Sequence, residues 1–197
     1  MFYKKLSETE MFVQVLGDGG KGFSFKMAKT QTQPRNAETV MPKWLTEHFE
    51  FLVSGKGRWV ADNSKFKSER EPFDEYGMEW TWGLGKKSLK GRLFALRDKK
   101  ELGTFWEFII FWHPSQRKVI AQQFNGGGIY GEGEMKMNES EGKSVIELEQ
   151  TFYGPDGASW KQRHQNIDGT DDFQGQSFNF IEGKWSPDRI YIWKRAS

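Results

Sequence analysis

Cysteine is the most informative absence in this sequence, since the 197 residues include none. This excludes disulfide bonds, thiolate metal sites and cysteine nucleophiles together, and it leaves the redox compartment open. Histidine is also scarce: His48, His113 and His164 do not form a two-histidine metal-binding spacing. The sequence therefore predicts no metal site and no cofactor.

Long hydrophobic runs are missing as well. No stretch of 18 apolar residues occurs, so no membrane-spanning helix is predicted. The first 20 residues lack the apolar core of a signal peptide, which predicts a cytoplasmic protein, or a secreted or periplasmic one if a leader has been removed. The net charge of +2 mixes both signs along the chain, which favours a solvated surface over nucleic-acid binding.

Glycine and aromatic residues are abundant, a composition typical of many strands joined by tight turns. The length predicts a hairpin and linker over residues 1–41 and one barrel domain over residues 42–197. In the first part, Met11 to Leu16 and Gly22 to Met27 read as a hairpin, and the polar stretch Thr30 to Thr39 reads as a linker.

One helix is predicted, over Pro42 to Val53, where proline suits the first turn and Leu45, Phe49 and Leu52 share a face. The charged stretch Asp62 to Glu75 is either a lid or a solvated excursion.

The rest of the chain has a regular rhythm of apolar runs and Gly, Asp, Asn or Pro turns. Strands are predicted at 57–61, 76–82, 88–97, 103–112, 117–125, 129–138, 143–152, 158–167, 172–181 and 189–195. About ten antiparallel strands in up-and-down order remove their free edges most simply by closing into a barrel. The predicted fold is therefore an all-β barrel with one short helix before it and an N-terminal hairpin. A barrel of this size has room inside for one small ligand.

Strand 103–112 carries apolar side chains on both faces, and only Glu107 interrupts them. Glu107 shares a face with Phe105 and Ile109, and we expect this face to line the barrel, within reach of His164. The other face needs an outer cover, which the N-terminal hairpin or a second subunit could provide. An outer aromatic surface that included Trp80 and Trp82 would make a homodimer possible.

Strand 158–167 places Trp160, Gln162, His164 and Asn166 on one face, and two charged residues on the other. Buried polar groups need hydrogen-bond partners, so the inner face is either a ligand pocket or an internal network that fixes strand register. On strand 129–138, Gly131 and Gly133 share a face and leave space that a neighbouring ring or a ligand can fill. The candidate ligand-binding residues are Trp80, Trp82, Phe105, Glu107, Gln123, Tyr130, Gln150, Trp160, Gln162 and His164.

Three segments resemble the lipocalin-like bacterial proteins of the calycin superfamily. They are FEFLVSGKGRW (49–59), EYGMEWTWGLGKKSLKGRLFA (75–95) and FNGGGIYGEGE (124–134). The G-x-W motif ends at Trp59, and the resemblance implies that this ring plugs one end of the barrel beneath an arginine of the last strand, Arg189 or Arg195. Similar ten-stranded barrels bind haem, but Ala61 and Asn63 replace glycines of their first strand and no histidine follows His164, so haem is a minor alternative.

The resemblance implies a closed barrel that binds a small apolar or amphipathic molecule. One alternative is a cyclase, isomerase or hydratase that uses Glu107 and His164 as an acid–base pair. Another is a filled barrel that acts as an oligomerisation scaffold. A cavity that reaches His164 would separate the scaffold from the other two.

Overall fold

The computed structural model describes residues 2–8, 10–17, 19, 21–28, 40–140 and 142–196. The chain forms two compact units, Met1–Glu38 and Thr39–Ser197. The domain boundary predicted between residues 41 and 42 stays a prediction, and the predicted linker falls mainly on residues 29–39, outside the described residues.

The first unit contains a three-stranded antiparallel sheet in the order β1-β2-β3. Its strands are Phe2–Lys5 (β1), Glu10–Leu16 (β2) and Gly22–Ala28 (β3). The predicted hairpin is confirmed as β2 and β3. Strand β1 was not predicted, because four residues with two lysines carry too little alternation to stand out from a loop.

The second unit is a closed barrel of ten strands, β4 to β13, in which consecutive strands pair antiparallel and β13 pairs with β4. The strands are Arg58–Asp62 (β4), Glu75–Trp82 (β5), Ser88–Arg97 (β6), Lys100–His113 (β7), Lys118–Asn125 (β8), Tyr130–Ser140 (β9), Lys143–Tyr153 (β10), Ser159–Asp168 (β11), Asp172–Ile181 (β12) and Lys184–Arg195 (β13). The predicted fold class is confirmed, and the architecture is consistent with a calycin-like fold.

The one α-helix among the described residues of this unit, α1, spans Lys43–Val53 and begins directly after Pro42. Its apolar face buries Leu45, Phe49 and Leu52 against one end of the barrel. In the described residues, no helix combines the length and apolar character needed to cross a bilayer.

Trp59 ties α1 to the barrel. Its side chain is fully buried, and its indole Nε1 donates a hydrogen bond to the carbonyl oxygen of Leu52 at 2.8 Å. The guanidinium carbon of Arg195 lies 4.7 Å from the centre of the Trp59 ring system. Of the two arginines that the resemblance offered for this place, Arg195 therefore occupies it.

Two strand boundaries differ from the prediction for identifiable reasons. Asp98 and Lys99 both have positive φ (50° and 63°) and form the entire turn between β6 and β7, so β7 begins at Lys100 rather than at 103. Pro187 was read as part of a turn, but β13 begins at Lys184 and continues through it. The proline is accommodated where the β12–β13 register shifts, between Gln176 and Phe178.

Candidate functional site

The barrel encloses a cavity of about 800 Å³. It extends from α1, where His48 and Leu52 line it, to the opposite end, where residues of the 63–74 loop line it. We call these ends the floor and the mouth. Within the stretch 62–75, Arg70, Glu71 and Phe73 line the mouth, whereas most of residues 62–70 are exposed to solvent.

Strands β5, β6 and β7 form an aromatic wall on one side of the cavity. Most lining residues from these strands are aromatic or aliphatic: Tyr76, Met78, Trp80, Leu93, Trp106, Phe108 and Ile110. Thr104, which is polar, and Phe105 complete the lining near the mouth. Trp80 stacks on Phe108 with ring centroids 5.4 Å apart, and its indole lies over Gly91, where a Cβ atom would come within 2.4 Å of the ring. The glycine thus lets the indole lie flat against the wall.

Strand β11 provides a polar strip on another side of the cavity. Gln162, His164 and Asn166 alternate along it and all line the cavity, as their spacing predicted. Gln162 donates a hydrogen bond to the Asn179 side chain at 3.0 Å, while His164 Nε2 is buried and has no partner within the described part of the chain. Burial lowers the pKa of His164 from its ordinary 6.5 to about 4, so the imidazole is neutral at pH 7.

Strand β9 has glycines at two inward positions, which brings its neighbours β8 and β10 into contact. Gln123 on β8 donates a hydrogen bond to Gln150 Oε1 on β10. A Cβ atom at Gly131 would lie 2.5 Å from the Phe152 ring, and one at Gly133 would lie 1.9 Å from the Glu149 carbonyl oxygen. The space left by the glycines is therefore filled by packing, one of the two outcomes expected of them.

An ion pair spans the mouth. Arg189 of β13 makes two hydrogen bonds to Glu71, at 2.6 and 3.0 Å, which raise the pKa of Arg189. Burial, with a further contribution from Glu71, raises the pKa of the nearby Tyr76 to about 12. Burial also raises the pKa of Tyr191, whose hydroxyl donates to Asn63 Oδ1 at 2.8 Å. Both phenols therefore stay protonated at neutral pH.

At the floor, His48 of α1 joins Asp168 at the end of β11, with 2.6 Å between His48 Nδ1 and Asp168 Oδ2. His48 is 3% exposed, and Oδ1 of Asp168 is buried without a partner among the described residues. On the far side of His48 lies a groove of about 520 Å³ that Trp44 and Lys143 also line. The dyad separates this groove from the barrel cavity.

The structure places half of the sequence-predicted site residues on the cavity lining: Trp80, Phe105, Gln123, Gln162 and His164. Gln150 lies in the wall directly behind Gln123 and is 1% exposed. The assignment of all these residues to ligand binding stays a prediction.

The inward orientation predicted for Glu107 is wrong. Glu107 is exposed and does not line the cavity, whereas Trp106, Phe108 and Ile110 do. Both faces of β7 are apolar, so alternation alone could not tell which one is inside. Phe105 reaches the cavity because it is the extra residue of a β-bulge: Leu93 pairs with Trp106, and Phe94 with Thr104.

Three other predicted residues lie off the lining. Trp82 is directed toward α1, where its ring meets Phe49 edge-on at 6.0 Å. Tyr130 lies on the outer face of β9 and donates a hydrogen bond to Glu132 at 2.6 Å. Trp160 stacks against Phe152, with 5.5 Å between ring centroids, and it is Phe152 that lines the cavity.

Sequence reasoning missed several lining residues, among them Tyr76, Tyr191, Glu71 and His48. The alternation Tyr76, Met78, Trp80 carried the signal for Tyr76. His48 and Asp168 are 120 positions apart in the chain, and no local sequence pattern predicts a contact over that separation.

Among the described residues, no three His, Asp or Glu side chains come together in a group that could hold a metal ion. No model of a known protein family matches the chain. A search of curated proteins likewise finds no relative. The site must therefore be interpreted from its own geometry.

Proposed function

We propose that this protein binds a small apolar or amphipathic molecule inside the barrel. The observation that carries the proposal is the cavity of about 800 Å³, which lies within the range of small-molecule sites. An aromatic wall supplies apolar contact area, and a few convergent polar groups supply orientation, the combination typical of such sites.

The position of Arg195 over Trp59 supports kinship with lipocalin-like proteins, because it is the packing that the G-x-W resemblance implied. Binding of an apolar ligand within a barrel is also what that resemblance implies. The kinship is part of the proposal, as is the homodimer expected from an outer aromatic surface.

The alternatives lose their supporting features. A filled scaffold does not account for a cavity that reaches His164. The enzyme hypothesis needed Glu107 and His164 as an acid–base pair, but Glu107 is on the outer face and the pKa of His164 lies far below neutrality. Ligand binding without catalysis is therefore the function that the geometry favours.

Native mass spectrometry of the protein purified from its own host tests the proposal directly, because a retained ligand adds its mass and organic extraction removes it. Titration with 1-aminoanthracene, an uncharged fluorescent probe, provides a second measurement. We expect saturable binding that Ala121→Phe weakens at least tenfold, because Ala121 is 1% exposed and lines the cavity.

The matched control is Ala158→Phe, which adds the same ring at an exposed position in the turn before β11. Retained wild-type binding in this control locates the probe inside the barrel. A cavity that retains no ligand and takes up no probe, or a probe that both variants affect equally, would contradict the proposal.

A further inference from the structure

The strands on two sides of the cavity offer different groups to a ligand. Strands β5, β6 and β7 present mainly apolar and aromatic side chains, whereas β11 offers an amide, an imidazole and a second amide in succession. In the closed strand order, β11 and β5 stand four strands apart, so the two surfaces lie on different sides of the interior. A ligand that contacts both surfaces therefore needs a polar edge and an apolar face.

The spacing along β11 sets a distance. Gln162, His164 and Asn166 are alternate residues of one strand, so successive inward side chains start roughly 7 Å apart and the strip extends over about 13 Å. Ser177 of β12 pairs with His164 and also lines the cavity, which widens the strip at its centre.

The middle of the cavity offers no cation to an anionic ligand. Among the described lining residues, the fixed charges Arg70, Glu71 and Arg189 all belong to the mouth, and both oxygens of Glu71 engage Arg189. Among the described lining residues, the polar groups between the mouth and the floor are amides, hydroxyls, the Trp80 indole N–H and the His164 imidazole, none of which carries a fixed charge at pH 7. A carboxylate buried at this depth would have no cation to balance it.

From this arrangement we infer that the ligand is an uncharged, flat molecule that carries two or more hydroxyl or carbonyl groups along one edge, about 7 Å apart. This edge lies along Gln162, His164 and Asn166 of β11, and the apolar face packs against the aromatic wall. The inference rests on the proposed function and narrows it to a class of compounds.

Isomeric probes test the inference by isothermal titration calorimetry. In 2,7-dihydroxynaphthalene both hydroxyls lie on one edge at a suitable separation, in 2,6-dihydroxynaphthalene they lie on opposite edges, and 2-naphthol has one. Because the 2,7 isomer alone can place both hydroxyls on the strip, we expect it to bind about tenfold tighter than the 2,6 isomer, the value of roughly one additional hydrogen bond. Sodium 2-naphthoate should bind more weakly than 2-naphthol.

Variants of the β11 residues test whether the preference for the 2,7 isomer depends on these side chains. Asn166→Leu and Gln162→Leu should each reduce the ratio between the two isomers severalfold, while 2-naphthol continues to bind and shows that the cavity is intact. Gln165→Leu is the matched control, because Gln165 lies between the strip residues in sequence but bonds outside the cavity to Glu147 at 2.8 Å. This control should keep the full preference.

Equal binding of the two isomers, tightest binding of 2-naphthoate, or an equal loss in Gln165→Leu would overturn the inference and leave the proposed function standing. If none of the four probes bound, 2-naphthol included, both the inference and the proposed function would be overturned.

Discussion

The two ends of the barrel are closed by different kinds of interaction. At the floor, α1 buries Leu45 and Phe49 completely and Trp59 is enclosed with them. At the mouth, the Glu71–Arg189 ion pair leaves its side chains 29% and 33% exposed. Burial of apolar area is not screened by salt and is hard to undo locally, whereas an exposed ion pair contributes little and is screened. We therefore expect the floor to stay closed and a ligand to enter at the mouth.

Removing the floor's central ring should produce the largest effect. Trp59→Ala deletes a fully buried side chain and its hydrogen bond to Leu52, which should lower the free energy of unfolding by about 3–5 kcal/mol. Urea denaturation measures the change. Trp185→Ala, which removes a half-buried tryptophan packed against Phe180 near the mouth end, should cost about 1 kcal/mol. Equal losses would mean that the two ends do not differ in this way.

Acid should destabilise the protein through His164, whose Nε2 atom is buried in the cavity wall. Its folded pKa of about 4 lies below the unfolded value of 6.5. Between these pH values the unfolded chain takes up a proton that the folded chain refuses, so the free energy of unfolding falls as the pH drops, by on the order of 1 kcal/mol per pH unit.

His164→Gln should remove this component of the pH dependence in denaturation series from pH 7 to pH 4. His113→Gln, in the hairpin between β7 and β8 and off the cavity lining, is the control and should keep the wild-type slope. If His164→Gln also kept the wild-type pH dependence, the lowered pKa expected from burial of His164 would be contradicted.

The His48–Asp168 pair at the floor should contribute less to the free energy of unfolding than Trp59 does. Asp168→Ala leaves His48 buried without its partner, which should cost about 1–3 kcal/mol in chemical denaturation. Asp171→Ala, a carboxylate 84% exposed beside Arg195, should change stability by less than about 0.5 kcal/mol. If Asp168→Ala lowered the free energy of unfolding no more than Asp171→Ala does, the His48–Asp168 pair would be no more stabilising than a surface contact.

Breaking the Glu71–Arg189 ion pair at the mouth should have the smallest effect on the free energy of unfolding and the clearest effect on the rates at which a probe enters and leaves the cavity. Glu71→Ala should cost at most about 1 kcal/mol of unfolding free energy. It should raise the association and dissociation rates of 1-aminoanthracene together in stopped-flow fluorescence, with a smaller change in affinity. Lys67→Ala, which removes another ion pair of the same loop, is the control. Unchanged rates in Glu71→Ala would show that the probe enters elsewhere.

The sequence predicted the architecture well because β-barrels repeat a simple local signal. Alternation along β11 placed Gln162 and His164 inside correctly, since Lys161 and Arg163 mark the other face as the outer one. The same reasoning failed on β7, where both faces of residues 105–112 are largely apolar and Glu107 marked the outside. A bulge then moved Phe105 against the alternation. Contacts that join distant segments, such as His48 with Asp168 and Glu71 with Arg189, depend on barrel closure and have no local sequence signal.

The glycines of β9 limit how this barrel can change its ligand. At Gly131 and Gly133 even a methyl group would collide with the Phe152 ring or the β10 backbone, so natural or laboratory mutation cannot reshape the cavity by enlarging these two residues. Adjustable positions lie elsewhere on the lining, for example on the aromatic wall, on the β11 strip and at Ala121. Variation in ligand preference among homologous barrels should therefore concentrate at positions such as Met78, Leu93 and Asn166, while both β9 positions remain glycine.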